Sequence, residues 1–74
     1  MVDKQQLQLA IGKRIKELRE NQNISQQDLA ASCDMEKSNF SRLEAGGTNP
    51  TIFTLKVIAD RLGIRLAELV SIEE

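Results

Sequence analysis

Seventy-four residues, about 8.3 kDa, make one small domain with room for a single hydrophobic core. Apolar residues are 41% of the chain and charged residues 28%, a globular rather than disordered mix. Ten Lys and Arg against eleven Asp and Glu leave a formal charge of −1, so composition alone announces no nucleic-acid binder.

With no histidine and one cysteine, Cys33, the chain has no structural zinc set, no internal disulfide and no histidine base for nucleophilic chemistry. Neither an enzyme nor a cofactor is expected. No apolar run approaches the ~20 residues of a membrane span, and the start lacks the apolar segment of a signal peptide. The expectation is a cytoplasmic protein without a membrane partner. Charge is uneven along the chain: residues 1–20 carry a balance of +2, residues 21–50 sum to −2 and residues 51–74 to −1.

In chain order, Leu7, Ile11, Ile15 and Leu18 recur at steps of three and four and predict a first helix over residues 6–21. Asn21-Gln22-Asn23 interrupts it. Ser25 with Asp28 resembles a capping box, with Ile24 in the place of a hydrophobic staple, and opens a short second helix over 25–32 that turns Leu29 and Ala30 inward. Cys33-Asp34-Met35 reads as a turn. A third helix over 36–44 buries Phe40 and Leu43 and stops at Ala45-Gly46-Gly47. Thr51 caps a fourth helix over 52–62, with Ile52 packed at its start and Leu55, Ile58, Ala59 and Leu62 inward. Gly63 ends it by accepting the left-handed conformation. A last short helix over 66–71 offers Leu66, Leu69 and Val70. Five helices with short loops predict an all-α domain spanning residues 1–74.

The informative segment is 25–44: helix, tight turn, helix. Residues 38, 41, 42 and 45 share one polar stripe of the third helix, opposite Phe40 and Leu43. A helix fits the DNA major groove, and its first turns bring a few side chains to base edges. Arg42 suits a bidentate pair with guanine, Lys37 can do the same or bind phosphate, and Ser38 and Asn39 are short, versatile hydrogen-bonding groups.

ISQQDLAASCDMEKSNFSRLEAG, with IGKRIKELRE upstream and NPTIFTLKVIADRLGIRLAELV downstream, resembles the Xre/Cro helix-turn-helix family, the class of the lambda phage repressor, over residues 11–70. The residues that carry the resemblance are Arg19, Gln26, Leu29-Ala30, Ser41-Arg42-Leu43-Glu44, Gly46, Pro50, Leu55 and Leu62-Gly63. It implies a compact five-helix DNA-binding domain, with the helix-turn-helix at the second and third helices, that binds operators as a dimer. By that resemblance Gln26 touches a phosphate, Lys37, Ser38 and Arg42 read bases, and Arg19 and Glu44 form an internal ion pair. Three positions depart from the pattern. Asp34 stands where the turn glycine is usual. Glu36 replaces the Ser or Thr cap of the reading helix, which weakens that cap and places an anion near the phosphates unless Glu36 reads a base by accepting from a cytosine N4 amine. Arg65 replaces the polar cap of the last helix.

Gln27, Asn39, Ser41, Lys13, Arg14 and Thr51 complete the expected phosphate-binding or supporting set. For Lys13 and Arg14 a plain solvated face is an equal reading, and for Asn39 so is structural packing. Cys33 is expected to be a small buried side chain rather than a redox sensor. Helices four and five carry more apolar positions than one side of the core needs, so Phe53, Val70, Ile72 and Leu66 are expected to form a homodimer interface. The resulting expectation is a sequence-specific transcriptional regulator, a repressor on a near-palindromic double-stranded operator. The alternative is the antitoxin of a toxin–antitoxin pair, or a similar protein-interaction component, with DNA binding secondary.

Overall fold

Helical periodicity becomes five helices: α1 (Lys4–Asn21), α2 (Gln26–Ser32), α3 (Lys37–Glu44), α4 (Ile52–Leu62) and α5 (Leu66–Leu69). The computed structural model describes residues 3–72. α1 starts two residues before its predicted bound because Asp3 caps it, accepting from the Gln6 N–H at 2.7 Å. Ser25 caps α2 through its hydroxyl, which accepts from the Asp28 N–H at 3.0 Å. Thr51 does the same for α4, accepting from the Thr54 N–H at 3.1 Å. Gly63 closes α4 with a left-handed φ of 72°. α5 is shorter than the predicted 66–71 and ends at Leu69.

The core collects the inward stripe of every helix. Ile15, Phe40, Ile58, Ala59 and Leu69 are 0% exposed, with Ile11, Leu29, Ala30, Leu43, Leu55 and Leu62 packed around them. Two positions expected inside are not: Leu7 is 43% exposed and Ile52 is 68% exposed. α1 runs a full turn beyond the core at its N-terminus, and the first turn of α4 lies at the edge, so both side chains line a surface groove instead. Cys33 is buried, as its apolar surroundings led one to expect.

Helix C-termini leave carbonyls without intrahelical donors, and here side chains from elsewhere in the chain supply them. Arg61 Nε on α4 donates to the Ser32 carbonyl that ends α2, at 2.6 Å. Gln22 Nε2 donates to Leu62 O at the end of α4, at 2.7 Å. Arg14, through Nη2 at 2.9 Å and Nε at 3.2 Å, holds Glu68 O in α5. With its amide nitrogen turned inward, Gln8 donates to Gly46 O and Thr48 O just past α3, at 3.2 and 3.3 Å.

Candidate nucleic-acid interface

The third helix is placed by what it buries. Phe40 and Leu43 lock its inner face into the core, and Glu44 anchors its end, leaving Lys37, Ser38, Asn39 and Arg42 exposed on the other side. Ser41, expected on the open stripe, is half-buried. The turn before α3 is held by backbone bonds from Asp34 N to Ala31 O (3.1 Å) and from Met35 N to Ala30 O (2.8 Å). Asp34 adopts φ 59°, the left-handed conformation that glycine would take with less strain. Glu36 is the N-cap, yet its side chain makes no cap bond. The predicted weakness of that cap is therefore present.

Behind the turn, a buried polar network joins three helices. Arg19 Nε donates to Glu44 Oε2 at 2.7 Å and Nη2 to Oε1 at 3.1 Å, with side chains 8% and 2% exposed. Arg19 Nη1 donates to Ile24 O at 2.7 Å. The hydrogen bond to the Glu44 carboxylate holds the Arg19 guanidinium more firmly charged than usual, outweighing the opposing effect of burial. Gln26 Nε2 adds a third donor to this carboxylate, at 2.8 Å to Oε1. Sequence reasoning predicted the ion pair but not that Gln26 joins it.

The other expected residues separate by what they touch. Gln27 and Lys13 are exposed. Arg14 is half-buried and committed to the Glu68 carbonyl. Thr51 is engaged as a helix cap, also bonding the Thr54 hydroxyl at 3.1 Å. Burial raises the Cys33 thiol above its ordinary value of 9.0, keeping it protonated and a poor nucleophile. Among the described residues, no cluster of His, Cys, Asp or Glu is placed to hold a metal ion, and no helix is long and apolar enough to cross a membrane.

Of the four expected interface residues, Val70 and Ile72 line an apolar groove of ~300 Å³ together with Leu7, Ile11, Pro50 and Ile52. Phe53, 76% exposed, borders a separate cavity of ~90 Å³ with Cys33, Met35 and Val57. Leu66 is half-buried against the core. Leu7, Gln8, Gln22 and Arg61 were not singled out in advance for these surface and bracing roles. Their long-range contacts leave no trace in local spacing.

A helix-turn-helix family model matches residues 15–69. Control protein C.MunI of a Mycoplasma species is 35% identical over 66 residues, covering 88% of this chain and 89% of that protein. The immunity repressor protein of Bacillus phage phi105 is 31% identical over 65 residues, which are 88% of this chain but only 45% of the repressor. The crystal structure of SinR, a master regulator for biofilm formation, in complex with DNA matches with a TM-score of 0.75 at 32% identity, covering 82% of this chain and 98% of that one.

Proposed function

Because this chain belongs to the Xre/Cro-type helix-turn-helix family, a family of DNA-binding transcriptional regulators, we propose that it is a repressor that reads a near-palindromic operator as a homodimer. The observation that carries this reading is α3. Its inner face is fully locked in the core, while Lys37, Ser38 and Arg42 stand together on the solvent side, bound to nothing else among the described residues. Rigid backing and open polar reach are what base reading in the major groove requires. Gln26, whose Nε2 keeps a second N–H beyond the one on Glu44 Oε1, Gln27 beside it at the start of α2, Lys13 on α1 and the capped start of α4 at Thr51 are the supporting phosphate contacts, and Asn39 and Ser41 flank the reading stripe. Arg14, with Nε and Nη2 both on Glu68 O, braces the fold and contributes charge only at longer range.

One eight-residue helix covers few base pairs, so two copies related by a two-fold axis supply the affinity. The groove lined by Leu7, Ile52, Val70 and Ile72 is the favoured contact, because it contains no residue of α2 or α3 and so leaves the reading stripe uncovered. Phe53, at its separate cavity, and Leu66, half-buried against the core, do not line this groove. The same groove and the net charge of −1 favour a second reading, in which a protein partner occupies this surface, as in an antitoxin. Selection of bound sequences from a random duplex pool, with the mass of the selected complex measured, tests both. A two-fold symmetric site carrying two chains is expected. Failure to select any sequence would overturn the regulator reading, and selection by a single chain would overturn the dimer.

A further inference from the structure

Asp3, Ser25 and Thr51 each sit at a helix start, and each side chain accepts from the backbone three residues on. Glu36 holds the equivalent place before α3, with the same extended backbone (φ −72°, ψ 144°), but its carboxylate makes no such bond. The side chain is exposed and pairs with no cation among the described residues, although Lys37 is its neighbour. An uncompensated carboxylate on the edge that meets a polyanion lowers affinity for every sequence alike unless something on that surface donates to it.

In the major groove the available donors are the N4 amine of cytosine and the N6 amine of adenine, whereas guanine and thymine present acceptors that repel a carboxylate. Adenine carries its amine beside the N7 acceptor, which opposes a second carboxylate oxygen. Cytosine presents its amine with no acceptor of its own at that edge. We infer that Glu36 is a specificity-determining residue that accepts from cytosine N4, selecting cytosine at one position of each half-site. Lys37, one residue further into the helix, is then placed to serve the guanine acceptors of the same or the adjoining pair. This assignment rests on the regulator reading above and deepens it.

The test compares sites selected from a random duplex pool by the wild-type chain, Glu36→Ala and Glu36→Gln. No cap bond is lost in either variant, so unchanged helicity and melting temperature are expected and verify the fold. The wild-type chain should select cytosine at one position per half-site. Glu36→Ala should lose the preference there and nowhere else, binding the cytosine site roughly tenfold more weakly while holding or gaining affinity for thymine at that position. Glu36→Gln should move the preference toward adenine, since a carboxamide can accept from N6 and donate to N7 together. Equal strengthening of Glu36→Ala on all sequences, random DNA included, would show a repulsive bystander and overturn the assignment. So would a selected site identical in wild type and variants. A wild-type chain that selects no sequence at all would instead overturn the regulator reading itself, and this assignment with it.

Discussion

Arg42 is exposed in the second turn of α3, with no partner among the described residues, so its guanidinium is free for a base edge. Arg42→Ala should weaken binding to the selected operator by about 1–3 kcal/mol and to random DNA far less. Equal losses, measured by titration on both duplexes, would make Arg42 a phosphate contact. Gly12 has a different constraint. A Cβ there would stand 2.5 Å from both Leu43 O and Glu44 O, backbone atoms that cannot swing away. Gly12→Ala should therefore cost about 1–3 kcal/mol despite its better helix propensity, read as a lower urea midpoint. Cys33 yields a pH signature. Its thiol is raised by burial, so the folded state holds that proton more tightly than the unfolded chain. The corresponding stability is complete below the ordinary thiol value of 9.0 and is lost as pH rises through the folded value. Cys33→Val should flatten that alkaline decline and leave DNA affinity unchanged, which denaturation at pH 8 and pH 10 will check.

At the scale of elements, the Arg19–Glu44 pair fixes the end of α3 against α1, and Gln26 ties the start of α2 to the same carboxylate. Removing either charge strands the other in a site where both side chains are under a tenth exposed, at a cost of about 3–5 kcal/mol. The two single substitutions to Ala should couple strongly in a double-mutant cycle on unfolding, and additive effects would deny the pairing. The helices themselves were legible in the sequence because apolar spacing, the Ser25 and Thr51 caps and the Gly63 stop are all local signals. The Asp3 cap went unread because the residues after it, Lys4-Gln5-Gln6, are polar and the apolar stripe begins only at Leu7. Leu7 and Ile52 fit the helical stripe yet lie outside, because periodicity gives a side chain's direction and not whether another element reaches it. Gln26 read as a helix-start residue facing phosphate. Its bond to Glu44, eighteen positions on, depends on the angle between α2 and α3, which no local pattern encodes.

For the whole molecule, half the cations are already engaged: Arg14, Arg19, Lys56, Arg61 and Arg65 each meet a carboxylate or carbonyl. That leaves Lys4, Lys13, Lys16, Lys37 and Arg42 without a partner among the described residues, on a chain of net charge −1. The salt dependence of operator binding should then be shallow, with a slope of log K against log salt no steeper than about −5 per subunit. A slope near −8 would show paired cations being released onto phosphates. Assembly should respond to the groove: Ile52→Glu and Val70→Glu are expected to weaken self-association at unchanged helicity, seen by sedimentation, and to make operator binding steeper in protein concentration. The side chains that reach into other helices' C-termini bear on something other than recognition. Helix ends ordinarily fray first, but here opening α2 breaks a bond from α4, opening α4 breaks one from Gln22 just past α1, and opening α5 breaks one from α1. Amide protons near those ends should exchange with solvent through opening of the entire chain, with one common opening free energy and one common denaturant dependence. A protease would then find few cleavable partial openings, so the lifetime of the protein in a cell would follow its global unfolding equilibrium.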